Sequence, residues 1–465
     1  MAELYFQTLS ETCRQLKSGA LTSVKLTELM LERVAQKDAQ LHAYALVLAE
    51  QALQQAAARD ARRAAGDPLG ALHGVPIAIK DLVYTRGIPT ASGTRVMADF
   101  RPDFDATVLT KLVAAGAVII GKTQLTEGAF GAHHPQIVAP VNPYAADHWP
   151  GVSSSGSGVA VASGLAFAAL GSDTGGSIRF PSACCGLVGL KPTYGRVSRH
   201  GVFPLAESLD HIGPMTRCVE DAARVLGVIA GADPEDKTSL PDPVPNYLAY
   251  STDNLKGTRI GIDWRYVTSG VDADVIQVIE KVCEQFSELG ADIVEVALPA
   301  GYRELVDGWG VTCAVECAQA HRNYYPERNG EYGPILSALI DLGLALDRSE
   351  YVRLEGVRQE FRTALDDLLT KVNILIAPCM TSLPPTVEAM NSAVEDDAQR
   401  AAFITFTAPF DYSGHPTLTL PAGLNVLGLP ESFQLIGPAL GEPALLRAGS
   451  AYELAAGRMP HPPMA

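Results

Sequence analysis

The sequence predicts an α/β fold, with helices packed around a mixed, mostly parallel β-sheet. Three observations predict it. Short apolar runs alternate along the chain with segments of helical periodicity. The 465 residues are 47% hydrophobic and only 19% charged, which supports a large core and excludes a disordered chain or a charge-rich coiled coil. Strand signals resume after the one long Pro-rich stretch, so residues 1–465 read as a single domain.

Residues 1–66 read as an N-terminal helical region. Thr22 or Ser23 can cap a segment in which Leu26, Leu29, Met30 and Val34 recur at helical spacing. An Ala-rich helix follows over about 48–65, then a loop at 68–74. The region 67–231 alternates strand and helix: strand 75–79, helix 105–115, strand 117–120, helix 157–163, strand 165–170. Residues 232–257 carry Pro234, Pro241, Pro243 and Pro245 and read as a surface connection. In 258–465 strands are expected at 258–262, 291–296 and 374–377, with helices near 271–289 and 348–370 that complete the sheet and form the pocket.

Charge and cysteine usage narrow the function classes. With 36 basic and 52 acidic residues the net charge is −16, unsuited to a phosphate backbone, so no nucleic-acid partner is expected. The densest basic run, Arg59, Arg62 and Arg63, is interrupted by Asp60. The longest apolar run, 159–170, is broken by Ser163 and Gly164 and is too short to span a bilayer, so no membrane partner is expected either. The eight cysteines form no Cys-x-x-Cys pair and residues 1–17 have no leader-like pattern, so a cytoplasmic setting with free thiols is the expectation.

The chemistry concentrates between 150 and 198. The stretch opens Pro-Gly-Val-Ser-Ser-Ser-Gly-Ser-Gly (150–158) and continues Gly-Ser-Asp-Thr-Gly-Gly-Ser-Ile-Arg-Phe-Pro (171–181). Successive glycines let backbone N–H groups converge on an anion. A phosphate loop would need Gly-x-x-x-x-Gly-Lys-Ser/Thr, which is absent; Gly156-Ser157-Gly158 only partly matches a dinucleotide loop. An oxyanion would need an adjacent nucleophile, and Ser177 directly follows Gly175-Gly176. Serine needs a base. No histidine has an obvious claim, but Lys80 ends the apolar strand at 75–79, where burial would lower its pKa into working range. A further serine could relay the proton between them.

These segments together resemble the amidase signature family. The likeness covers 74–82, Gly-Lys-Thr-Gln-Leu-Thr-Glu at 121–127, 150–198, 211–217 and Gly-His-Pro-Thr-Leu-Thr-Leu-Pro-Ala-Gly at 414–423, in the family's order and spacing. It implies a large twisted sheet core surrounded by helices and a Ser-Ser-Lys triad of Lys80, Ser153 and Ser177. It also implies a cis peptide before the bridging serine and an oxyanion hole of the Thr174, Gly175, Gly176 and Ser177 N–H groups. Val152 and Ser155 replace glycines of the family's pattern, and Ser154 is the alternative bridge. Hydrolysis would proceed through an acyl-enzyme with no metal or cofactor, and a homodimer would be in keeping with relatives.

Other residues have plainer readings. Asp173 and Arg179 read as a pair that pins the loop, and Lys191 as structural. Cys184-Cys185 lack a basic partner and read as buried small residues. Cys313, Cys317 and His321 have metal-compatible spacing but only three ligands on one helix face, so a half-buried stripe is preferred. Phe130, His133, Phe180 and Met380 are the candidate substrate contacts, with His134 beside them.

Two functions fit the resemblance. One is a stand-alone hydrolase of small aryl or alkyl amides, with carbamates or esters as related substrates. The other is the glutamine-hydrolysing component of a tRNA-dependent amidotransferase. Phe180-Pro181 after Ser177-Ile-Arg, where that component typically has Gln, and the stretch 407–414 favour the hydrolase.

Overall fold

The computed structural model describes residues 4–249, 254–394 and 397–465. Its strands are β1 (Tyr44–Val47), β2 (Pro76–Lys80), β3 (Val118–Thr123), β4 (Ala168–Asp173), β5 (Val188–Lys191), β6 (His211–Thr216), β7 (Arg259–Ile262), β8 (Asp292–Glu295), β9 (Ile374–Ala377), β10 (Thr417–Leu424) and β11 (Pro430–Ile436). They form one 11-stranded sheet in the order β1-β3-β2-β4-β6-β5-β10-β11-β9-β7-β8. Helices surround the sheet, and one continuous apolar core runs along it.

The expected α/β architecture is present, but the sheet is not mostly parallel. Parallel pairing is confined to β2 with β3 and β4, and β7 with β8 and β9. The pairs β1–β3, β4–β6, β5–β6, β5–β10, β10–β11 and β9–β11 are antiparallel. The discrepancy comes from strands the sequence did not reveal. β6, His-Ile-Gly-Pro-Met-Thr, is buried throughout, so it shows no alternation, and Gly213 and Pro214 read as breakers. The N-terminal region is also not purely helical: β1, only four residues long and half-buried, adds an edge strand against β3.

The helices fall close to expectation. Thr22 caps Ser23–Leu41 by accepting the Lys25 N–H. Ala49–Ala64, Thr107–Ala114, Ala273–Glu288 and Arg348–Leu369 follow the periodicity. The helix Ser155–Ala162 is buried at every position, which explains its small side chains: it packs against β2, β4 and β6 with no room for larger ones. The described part of 232–257 contains neither helix nor strand. Among the described residues no helix is long and apolar enough to cross a membrane.

Two parallel strands set up the site. Ile79 of β2 lies opposite Leu170 of β4, so Lys80 and Ser172 emerge together at the C-terminal ends of their strands. The expected strand at 165–170 in fact runs three residues further, to Asp173, which delivers the glycine-rich loop to that edge.

Candidate active site

Lys80 is completely buried, and its Nζ donates to Ser153 Oγ at 2.7 Å and to Ser172 Oγ at 2.8 Å. Burial pushes the amine down to about 7, against smaller opposing effects of Asp210 and Asp173. Lys122, on the neighbouring strand, is also lowered by burial but has a carboxylate partner: Asp81 lies 3.1 Å from its Nζ and offsets part of that effect. Among the described residues no carboxylate lies within ion-pair distance of Lys80. The sequence does not single out Ser172; it lies near the C-terminal end of β4, and only the pairing of β4 with β2 brings its hydroxyl to Lys80.

Ser153 follows a cis Val152–Ser153 peptide and is buried beside Lys80. Ser154 is turned elsewhere: its Oγ donates to the Ser172 carbonyl and accepts the Ser172 N–H, both at 3.2 Å. Of these two serines, Ser153 is therefore the one whose hydroxyl meets the lysine. Ser155 is buried and its Oγ lies 3.1 Å from His133 Nε2. Ser177 is half-buried, and its carbonyl accepts the Ser154 N–H at 3.3 Å, which ties the two serine segments together.

Three consecutive peptide units of the glycine loop have bound carbonyls and unequal N–H groups. The Thr174 carbonyl accepts Trp309 Nε1 at 2.9 Å, the Gly175 carbonyl accepts Thr407 Oγ1 at 2.6 Å, and the Gly176 carbonyl accepts the Phe180 N–H at 2.7 Å. The Gly176 N–H is committed to Asp173 Oδ1 at 2.6 Å, so it is not available to an anion as the sequence suggested. The N–H groups of Thr174, Gly175 and Ser177 meet no acceptor among the described residues. Glycine is required at both central positions: a Cβ at Gly175 would lie 2.7 Å from the Trp309 ring, and Gly176 has φ +128° with the Phe180 ring 2.4 Å from a Cβ.

Asp173 and Arg179 form a fully buried pair, not a surface one. Burial alone would raise the Asp173 carboxyl, but the Arg179 charge and hydrogen bonds outweigh it and hold it well below the usual range. Arg179 also donates to Asp411 and to the Thr407 carbonyl. Arg179→Ala would leave the buried Asp173 carboxylate without its cation and Asp411 without its hydrogen-bond donor, at a cost of roughly 3–5 kcal/mol. The expected result is a lower unfolding midpoint in urea. A variant as stable as the parent would show the pair to be dispensable.

The site opens into a cavity of about 640 Å³ whose floor includes Ser153, Gly175 and Ser177. Phe130 and Phe180 line it as expected. Phe130 stacks on Trp309, and Phe180 packs with Trp149 and Phe403. Met380 does not line it. It is buried behind Phe180 in a cluster with Trp149, Cys184 and Cys379. His133 is not in the wall either, because its ring is turned to Ser155; His134 is buried, its Nδ1 accepting the Gln136 N–H. Sequence reasoning missed Trp309, Phe403 and Ile404, which lie far along the chain on helices that only the fold brings over Ser177.

The remaining candidates do not line the cavity. Burial raises the Cys184 and Cys185 thiols. Lys191 Nζ donates to the His415 carbonyl at 2.6 Å. Cys313 and Cys317 are buried on the helix Tyr302–Ala320, and His321 at its end has Nδ1 3.0 Å from the Tyr332 hydroxyl. No group of three or more His, Cys, Asp or Glu suited to a metal occurs among the described residues.

Residues 25–446 match the family model described as Amidase. The chain is 46% identical over 452 residues to "Putative amidase AmiD" of Mycobacterium tuberculosis, covering 97% of this chain and 94% of that one. It is 38% identical over 480 residues to the A component of the glutamyl-tRNA(Gln) amidotransferase of Trichlorobacter lovleyi, covering 97% and 98%. Among solved structures, a bacterial aryl acylamidase of the amidase signature enzymes superposes with a TM-score of 0.86 at 25% identity, covering 97% and 96%. The chain belongs to the amidase signature family, enzymes that hydrolyse carbon–nitrogen bonds.

Proposed function

We propose that this enzyme is a stand-alone hydrolase of small amides with an apolar aryl or alkyl group, working through a Ser177–Ser153–Lys80 triad. The observation that carries the reading is a buried lysine with only hydroxyl partners, beside a serine at the floor of an aromatic-walled cavity. A neutral amine has two N–H bonds and one lone pair. Donation to Ser172 leaves the lone pair free to accept the Ser153 proton. Ser153 in turn accepts the proton of Ser177, whose Oγ attacks the substrate carbonyl. The Gly175 and Ser177 N–H groups hold the oxyanion, with Thr174 N–H as a third donor beside them. The proton returns through Ser153 to the leaving amine, and water then cleaves the acyl-enzyme by the same path. Carbamates and esters of similar shape fit the same chemistry.

The wall near Ser177 argues against free glutamine. Phe130, Trp309 and Phe180 surround the loop, whereas the charged Asp307 and Arg400, which also line the cavity, are solvent-exposed. A zwitterion would lose hydration against the aromatic walls. The test is amine release from anilides, aliphatic amides, carbamates, esters and glutamine. Turnover of anilides or other apolar amides, without turnover of glutamine, is expected. Turnover of glutamine alone, rising with added amidotransferase partner proteins, would overturn the reading.

A further inference from the structure

We propose that Trp309 is the specificity-determining wall of the cavity and, through its indole N–H, the positioning residue of the oxyanion hole. The inference rests on the serine amidase reading above and assigns a role to a residue outside its triad. Four observations meet at this side chain. Its ring lines the cavity that opens over Ser177. It is stacked on Phe130, with centroids 5.8 Å apart and planes at 18°. The ring lies so close over Gly175 that no Cβ would fit there. Its Nε1 donates to the Thr174 carbonyl at 2.9 Å.

The last contact carries the chemistry. The Thr174 carbonyl and the Gly175 N–H belong to one planar trans peptide unit, so they point in opposite directions. Holding the carbonyl fixes where the Gly175 N–H is aimed. A peptide whose carbonyl accepts a hydrogen bond is also a stronger donor at its N–H. The next unit, Gly175–Gly176, is pinned at both ends by Thr407 and Asp173 and needs no such support. The Thr174–Gly175 unit has the indole as its side-chain anchor, and that anchor is also a wall of the substrate pocket. A flat apolar group lying against Trp309 therefore presses on the side chain that aims the oxyanion donor. The substrates favoured are amides with an aromatic or other flat apolar group next to the scissile carbonyl, over amides of short acids.

The two functions of the ring separate by substitution. Trp309→Phe keeps an aromatic wall but removes the N–H; Trp309→Leu removes both. Each is compared with the parent and with Ser177→Ala on the amide the parent hydrolyses fastest and on the acetyl amide of the same amine. For Trp309→Phe, kcat is expected to fall about tenfold on both amides with KM within about twofold, the signature of a lost transition-state donor. For Trp309→Leu the same fall in kcat is expected, with KM for the apolar amide rising about tenfold and KM for the acetyl amide unchanged. Melting temperatures of both variants check that they are folded. A Trp309→Phe variant with unchanged kcat, while Ser177→Ala is inactive, overturns the positioning role alone. Equal changes in KM for both amides in Trp309→Leu overturn the specificity role. Turnover that survives Ser177→Ala overturns the serine reading and this inference with it.

Discussion

Ser177→Ala is expected to lower kcat for amide hydrolysis by roughly 10⁴- to 10⁶-fold, with KM little changed. The size follows from what is removed. Without Ser177 Oγ no acyl-enzyme can form, and the Lys80–Ser153 pair has nothing to deprotonate. Substrate binding depends instead on the aromatic walls, which the substitution leaves in place. Stability should hardly change, because the Ser177 contact to the rest of the site is through its carbonyl, which alanine retains. Residual turnover above that of water would come from the oxyanion donors. Steady-state kinetics on the best amide gives kcat and KM, and a fluorophosphonate with mass analysis reports whether residue 177 is the site of covalent attack. Activity within about 100-fold of the parent, or labelling at another residue, would require a different nucleophile.

How far the sequence disclosed this site depends on the kind of information each residue carries. Lys80 was legible because it terminates an unbroken apolar run, and Ser177 because it follows paired glycines. Both signals are local. The choice of Ser153 over Ser154 was not decided by the string of three serines; it is decided by side-chain direction, since Ser154 is bound to the Ser172 backbone. Ser172 and Trp309 were invisible for a different reason. One matters through strand register, the other through a helix that begins more than a hundred residues after the glycine loop. The N–H of Gly176 looked free because sequence reveals donors but not their acceptors, and Asp173 three residues away takes it. The same limit explains the sheet. β2, β3, β7 and β9 are apolar runs, but the antiparallel strands β6 and β11 carry glycine, proline or glutamine in buried positions and β10 buries two threonines, so pairing rather than composition makes them strands.

Lys80→Met is the sharpest test of the base, because it should abolish amide turnover while making the protein relatively more stable at low pH. The parent has to fold a lysine whose amine sits at about 7 against an ordinary 10.5, with burial as the main cause. The depressed folded value means that the folded state disfavours the charged form. Below pH 7 both folded and unfolded chains carry the proton, and the penalty is complete, about 5 kcal/mol. Between pH 7 and 10.5 the folded state releases the proton while the unfolded state keeps it, so the penalty shrinks, and above 10.5 it is gone. Methionine fills much of the same space without charge but leaves the Ser153 and Ser172 hydroxyls without their nitrogen partner, a cost of about 1–3 kcal/mol each that does not vary with pH. The difference in unfolding free energy between variant and parent should therefore move by about 3 kcal/mol in the variant's favour from pH 9 to pH 6. The parent's kcat/KM should rise through pH 7 as Lys80 loses its proton. Urea unfolding at the two pH values decides the matter. A stability difference that is the same at both would mean that Lys80 is not held with a depressed pKa, and that the proton accepted from Ser153 must go elsewhere.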